Sequence, residues 1–112
     1  MKQINHLKSA RRTINLESEA LKEVAKSLNK DFSFLCEYLL NTKGRIICLG
    51  VGKSGHIANK TSATLSSTGS PAFFVNAGEA MHGDVGAITK KDSVIIFSHS
   101  GESDEELTYL RR

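Results

Sequence analysis

The stretch "IICLGVGKSG", residues 46–55, constrains the fold more than any other part of the sequence. A short β-branched run stops at Gly50, and the segment "HIANKTSATLSS", residues 56–67, has the small residues of a helix that packs closely on a sheet. A strand that turns on glycines into a helix is a typical unit of an α/β fold. The free N–H groups and the positive dipole end of such a helix form an anion site.

Two further apolar runs complete this pattern. The segments "AFFV" and "SVIIF" predict strands two and three, and neither alternates apolar with polar residues. Such strands are typical of a parallel sheet covered by helices on both faces. Between them, "NAGEAMHGD" predicts an irregular stretch with one helical turn, and "SDEELTYLRR" after strand three begins a last helix. Because doubly wound sheets have more than three strands, we expect either a fragment of a longer protein or a sheet completed by association.

The N-terminal part predicts two helices. An amphipathic helix from about residue 9 to 29 is indicated by apolar residues at helical spacing: Leu7, Ala10, Ile14, Leu21, Val24 and Leu28. A second helix continues through Leu39, with Asp31 as its expected N-cap and Gly44 as its expected left-handed C-terminal residue. We divide the chain into N-terminal helices, 1–42, and an α/β part, 43–112, within one structural unit overall.

Charge and cysteine content exclude several classes of protein. Lysine and arginine number 15 against 12 acidic residues, with the two signs interleaved, so no nucleic-acid partner is expected. Cys36 and Cys48 each lie in an apolar run and are interpreted as buried thiols in a reducing compartment. No apolar stretch approaches bilayer length, and the N-terminus lacks a secretion-signal core. We therefore expect a cytoplasmic protein without a membrane partner.

The glycine loop from Gly50 to Gly55 allows three interpretations besides a simple tight turn. A nucleotide P-loop fails on spacing, because its first glycine would fall at Ile47 inside the strand. A dinucleotide fingerprint fits the glycines literally, but strand two ends at Asn76 and not at the acidic residue that holds a ribose hydroxyl. The third interpretation is a sugar phosphate, which needs a phosphate cradle and no ribose acid.

A second polar loop favours the sugar phosphate. "SHSGES", residues 98–103, follows strand three just as the glycine loop follows strand one. Its serine hydroxyls and backbone N–H groups suit a phosphate dianion, although Ser103 and Glu106 also form a capping box. Two such loops at neighbouring strand ends, with Lys53 between them, favour a compact phosphorylated sugar.

Three segments in order, "GVGKSGHIANK", "STGSPAFFVNAGEAMHGDVG" and "SHSGESDEE", resemble the SIS (sugar isomerase) domain of bacterial D-arabinose 5-phosphate isomerases. The resemblance runs from about Lys43 to the C-terminus, and the leading helices also fit the start of the family. It implies a flavodoxin-like parallel sheet, here limited to about three strands, and a tetramer with active sites at subunit contacts. It also implies interconversion of D-ribulose 5-phosphate and D-arabinose 5-phosphate, a step that supplies the eight-carbon sugar acid of lipopolysaccharide.

The resemblance assigns roles to individual residues. Lys53 would lie at the reacting end of the sugar, and Glu105 would be the acid/base candidate. His82 would be a place where zinc binds as an inhibitor. The predicted substrate-binding residues come from the two loops: Gly52, Ser54, Gly55, His56, Ser98, Ser100, Gly101, Glu102 and Ser103. The resemblance implies no cofactor.

The chain also departs from the family pattern. His99 stands in the middle of the serine loop where family members usually carry asparagine, and whether it points into the site is left open. The family's further strands, with an additional glutamate and histidine implicated in catalysis, and its CBS modules are not in this sequence.

Isomerisation through an enediol needs a base near the carbon and an acid or positive charge near the oxygens. Lys53 can supply that charge and Glu105 the base, although a first-turn glutamate also complements the helix dipole. Glu79, His82 and Asp84 form a much looser set than a true zinc signature, and a hydrogen-bonded loop histidine fits His82 as well.

Three hypotheses follow. The chain is an active sugar-phosphate isomerase, a non-catalytic sugar-phosphate-binding or assembly module, or a nicotinamide-dinucleotide binder.

Overall fold

The computed structural model describes residues 3–80 and 84–99. In chain order, its elements are α1 (His6–Ser27), α2 (Lys30–Leu40), β1 (Ile46–Gly50), α3 (Gly52–Ser67), β2 (Ala72–Asn76), α4 (Ala77–Ala80), the 3-10 helix η1 (Asp84–Ala87) and β3 (Ser93–Ile96). The chain divides into two compact units after Cys36. The predicted division after residue 42 stays a prediction.

Helix α1 accounts for most of the first unit. Its first turn is capped by Asn5, whose side-chain oxygen accepts the Lys8 N–H at 3.0 Å. The helix ends at Ser27, because Leu28 is extended. The predicted helix is therefore present, but its bounds are shifted toward the N-terminus by this cap. Every residue of α1 is exposed, including its apolar stripe.

Asp31 is not the N-cap of α2, and that prediction was wrong. The helix begins at Lys30, and the side-chain oxygen of Asn29 accepts the Asp31 N–H at 2.9 Å. Both side chains can cap a helix, and the one immediately before the first helical residue does so. Asp31 instead lies in the first turn, where its negative charge complements the helix dipole.

Gly44 is not left-handed, and that prediction was also wrong. Among the described residues, only Gly52 and Gly69 have positive φ. Gly44 instead lies against the turn before β3, where its N–H donates to the Lys91 carbonyl at 2.8 Å. A Cβ at this position would collide with the Asp92 carboxylate. Close approach of two backbone segments is the reason for glycine here.

The three strands form a parallel sheet in the order β2-β1-β3, as predicted. The order matches the start of the flavodoxin-like 2-1-3-4-5 arrangement. Strand β1 is central, and all five of its residues are buried. Leu49 pairs with Val75 on one side and with Ile96 on the other. Residues after β1 and β3 therefore emerge at the same edge of the sheet.

Alternate residues of β1 supply two apolar clusters, one on each face of the sheet. Ile47 and Leu49 pack with Val75 and Ala77, whereas Ile46 and Cys48 pack with Ala58 of α3. Burying a side chain of isoleucine or leucine size contributes about 1.5 to 3 kcal/mol. The small buried residues of α3 confirm that this helix packs closely on the sheet: Gly55, Ala58 and Ser62.

The two cysteines differ in burial. Cys48 is fully buried, and desolvation raises the pKa of its thiol. Cys36 is half-buried, which corrects the prediction that it is a core residue, and both thiols are free. Across residues 3–80 and 84–99, no helix combines the length and the apolar character needed to cross a bilayer.

Candidate active site

The turn from β1 into α3 leaves backbone donors uncapped. Val51 occupies the N-cap position in an extended conformation and makes no side-chain cap hydrogen bond. The first helical hydrogen bond runs from the Gly55 N–H to the Val51 carbonyl at 3.0 Å. Within the described part of the chain, no group accepts a hydrogen bond from the N–H groups of Gly52, Lys53 and Ser54. These three amides and the helix dipole make the turn attractive to an anion.

The glycines of this turn have distinct structural reasons. Gly52 has φ 54, in the left-handed region that favours glycine. Gly50 and Gly55 lie where α3 crosses β1: a Cβ on Gly50 would stand 3.0 Å from the Ser54 carbonyl, and one on Gly55 would stand 3.1 Å from the Gly50 carbonyl oxygen. Close helix–strand packing therefore explains Gly50 and Gly55, while Gly52 shapes the turn that presents the amides.

The loop after β3 runs beside this turn. The Phe97 N–H donates to the Leu49 carbonyl at 2.8 Å, which continues the β1–β3 pairing beyond Ile96. Ser98 and His99 follow directly and are exposed. The structure thus brings the starts of the two predicted loops together at the carboxyl edge of the sheet, the usual ligand side of open α/β sheets.

A cavity of about 470 Å³ opens between the two loops. It is lined by Lys53 and Ser54 from the first turn of α3, by Ile57 one turn later and by His99 from the loop after β3. The volume is within the range of small-molecule sites. Two of these side chains are basic, one carries a hydroxyl group, and none of the described lining residues is acidic. The cavity therefore favours an anionic ligand that also offers hydroxyl groups.

Two lining residues were not assigned to the site by the sequence. Ile57 is 59% exposed although its position in α3 suggests a packing residue. His99 was a residue whose direction could not be predicted, and it lies at the cavity. The place of His99 follows from the register in which β3 pairs with β1. This register depends on a contact between distant parts of the chain, so the residues around His99 do not reveal it.

The remaining predicted site residues are distributed as follows. Gly52 and Gly55 belong to the turn, and His56 is exposed on α3 but does not line the cavity. Six residues lie outside the described residues, so their roles stay predictions: His82, Ser100, Gly101, Glu102, Ser103 and Glu105. Within the described part of the chain, no three potential metal ligands cluster.

The end of β2 bears on the dinucleotide interpretation. Asn76 stands where that interpretation needs an acidic residue, and its side-chain oxygen accepts the Gly78 N–H at 2.9 Å. The amide oxygen is therefore engaged in the turn into α4. This local contact gives Asn76 a structural role and leaves the dinucleotide interpretation without its ribose-binding acid.

Comparison with curated proteins identifies arabinose 5-phosphate isomerases as relatives. The chain is 48% identical over 107 residues to the arabinose 5-phosphate isomerase KdsD of Pseudomonas aeruginosa, covering 96% of this chain and 33% of the relative. It is 48% identical over 109 residues to KdsD of Francisella tularensis, covering 95% of this chain and 33% of that protein. The chain thus spans about a third of the length of the curated relatives it matches.

Solved structures share the fold over nearly the whole chain. A protein of Escherichia coli CFT073 in complex with arabinose 5-phosphate superposes with a TM-score of 0.92 at 40% identity, covering 99% of this chain and 59% of that one. A proposed sugar-phosphate isomerase from Listeria monocytogenes gives a TM-score of 0.91 at 25% identity, with the same coverage of 99% and 59%. The sequence profile of the SIS domain matches residues 39–112. The chain belongs to the SIS domain family.

Proposed function

We propose that the chain is the sugar-phosphate isomerase domain of a protein that interconverts D-ribulose 5-phosphate and D-arabinose 5-phosphate. The observation that carries this proposal is the cavity at which Lys53 and Ser54 meet the loop after β3. Support also comes from the names of the relatives and from the neighbour in complex with arabinose 5-phosphate. The activity is inferred for the whole protein, of which this chain matches a third in the curated relatives.

The phosphate is the anchor of the proposed substrate. The N–H groups of Gly52, Lys53 and Ser54 are directed to the N-terminal end of α3, where a dianion is stabilised by the helix dipole. The Ser54 hydroxyl lines the same cavity and adds a short hydrogen-bond donor. We propose that the loop from Ser98 to Ser103, of which residues 100–103 lie outside the described residues, also holds the phosphate.

Proton transfer then proceeds through an enediol. A base removes the proton from the carbon beside the carbonyl group, and the negative charge that develops on oxygen needs a nearby positive group. Lys53 lines the cavity and is the charged side chain assigned to this role. Glu105, outside the described residues, is the proposed base. Because the proton returns to the neighbouring carbon, the reaction is redox-neutral and needs no redox cofactor.

An assay of the purified chain tests the proposal. The chain is incubated with D-ribulose 5-phosphate, and formation of D-arabinose 5-phosphate is followed by chromatography, with binding of both sugars measured by calorimetry. Turnover supports an active isomerase, and saturable binding without turnover selects the alternative function of a non-catalytic sugar-phosphate-binding module. Tight NAD binding without any pentose phosphate binding would contradict both.

We also propose a homo-oligomer in the cytoplasm, a tetramer by family resemblance, with a role in lipopolysaccharide biosynthesis. Helix α1 supports association, because it is 22 residues long and buries none of them. A solvated apolar stripe of this length is unfavourable until it is covered. D-arabinose 5-phosphate would be the product passed on to the synthesis of the eight-carbon sugar acid.

A further inference from the structure

We propose that His99 contacts the phosphate group of the substrate and is the second basic side chain of the site. This inference rests on the proposed function and deepens it, because it adds a specificity-determining residue that the family pattern does not supply. Three observations carry it, namely the lining of the cavity, the anchoring of the loop after β3 and the charge of the described side chains around the cavity.

The sheet brings the chain close to the cavity two residues before His99. Phe97 donates to the Leu49 carbonyl at 2.8 Å, so the chain is still paired with the buried strand β1 two residues before His99. Two residues after this hydrogen bond, His99 lines the cavity that Lys53 and Ser54 line from α3. The side chain is exposed rather than packed in the core, so its burial gives no structural reason for histidine here.

The charges around the cavity favour contact with an anion. Lys53 from α3 is the other basic residue among the described lining residues, while Ser54 and Ile57 are neutral. Because none of the described lining residues is acidic, an anion is the complementary ligand for this cavity. A phosphate dianion is such a ligand, and an imidazole N–H can donate a hydrogen bond to its oxygens.

Histidine at this position offers a different donor from the asparagine that is usual in the family. An imidazole donates from a ring N–H, whereas a carboxamide donates from an NH2 group that stands beside an oxygen acceptor. The kind of donor that this loop offers to a phosphate oxygen is therefore a feature of this chain.

The first experiment measures binding of D-arabinose 5-phosphate by calorimetry to the purified chain and to its His99→Gln and His99→Ala variants. We expect His99→Ala to bind about tenfold more weakly, the size of one lost hydrogen bond to a charged group, and His99→Gln, which keeps an N–H donor, to lose less affinity. Equal affinity in wild type and both variants would overturn the role of His99 and leave the proposed function intact. Absence of pentose phosphate binding by the wild type would overturn both. Circular dichroism confirms that each variant is folded.

The second experiment separates direct contact from indirect positioning. Inorganic sulfate serves as the probe, because it carries the charge of the phosphate group without the sugar. Its inhibition constant is measured by competition with D-arabinose 5-phosphate. We expect unchanged sulfate affinity in His6→Gln, which removes an exposed histidine of α1 outside the cavity, and about tenfold weaker sulfate binding in His99→Ala. Unchanged sulfate binding in His99→Ala would contradict a contact with the phosphate group.

Discussion

The amide N–H of Phe97 donates to the carbonyl oxygen of Leu49 at 2.8 Å, one residue beyond the last paired residue of β3. This hydrogen bond joins the segment after β3 to the buried central strand immediately before the glycine turn. Because parallel strands end at the same edge, Lys53 and His99 come to line one cavity although they are far apart in sequence. The proposed chemistry depends on this adjacency.

Lys53→Ala should abolish most of the proposed isomerase activity. If the ammonium group stabilises the enediolate oxygen, kcat should fall about a hundredfold or more, as it does when one oxyanion donor is removed. The matched control is Lys60→Ala, which removes an exposed lysine of the same helix that does not line the cavity. Steady-state kinetics with D-arabinose 5-phosphate provide the measurement. Wild-type kcat in Lys53→Ala would remove Lys53 from the mechanism.

Gly52→Ala should destabilise the fold because alanine is strained in the left-handed conformation of this position, and not because of a steric clash. Gly52 has φ 54, and a Cβ there would meet no atom within 4 Å. The expected cost is therefore the strain of a left-handed alanine, about 1 to 2 kcal/mol in the free energy of unfolding. Urea denaturation measures it, with Gly86→Ala as the control, because Gly86 also has open space but no positive φ. Equal stability of the two variants would show that the turn can relax.

Asp92 should make the free energy of unfolding depend on pH in the acid range. Its carboxylate accepts the Arg45 N–H at 2.7 Å and the Thr89 N–H at 2.8 Å. These two hydrogen bonds hold the pKa of Asp92 below its ordinary value, and the bond from Arg45 has the larger effect. Because the folded pKa is lowered, the stabilisation is present above the unfolded pKa of about 3.9 and is lost as pH falls through the folded value.

Asp92→Asn tests this pH dependence. The variant should have a lower urea midpoint than wild type near neutral pH, because an amide cannot accept from both N–H groups in the same way. The difference between the two proteins should shrink once the pH falls below the folded pKa of Asp92. A difference that stays constant over the whole acid range would mean that the carboxylate charge is irrelevant.

Leu21→Glu should weaken self-association. Leu21 is 70% exposed on the apolar stripe of α1, together with Ile14 and Val24 at 64% and 54%. If a second copy covers this stripe, a buried glutamate would disfavour the oligomer. Sedimentation equilibrium measures the effect, with Arg12→Glu on the opposite face of the helix as the control. A wild-type chain that is monomeric at all concentrations would contradict the association through α1.

The order and type of the main elements were predictable because their signals are local. The apolar runs gave β1, β2 and β3, and the small residues after Gly55 gave α3. Caps were less predictable: Asn29 and Asp31 both carry suitable oxygens, and the start of the helix decides between them. The role of Gly44 was not predictable, because it depends on its contact with Lys91 across the fold.

The site was predictable in part for the same reason. Lys53 and Ser54 stand within the glycine motif, so their position at the helix N-terminus could be read directly. His99 could not be oriented, because its approach to the cavity depends on pairing between β3 and β1. Ile57 was missed, since an aliphatic residue in a helix that packs on a sheet predicts burial, not a place at the cavity.

The most direct test of the account is an NMR titration of the ¹⁵N-labelled chain with D-arabinose 5-phosphate. A shared phosphate site predicts that the amide signals of Gly52, Lys53, Ser54 and His99 shift together and saturate at one dissociation constant. Shifts limited to one of the two loops, or no saturable shift with any pentose phosphate, would contradict the claim that the turn after β1 and the loop after β3 form a single substrate site.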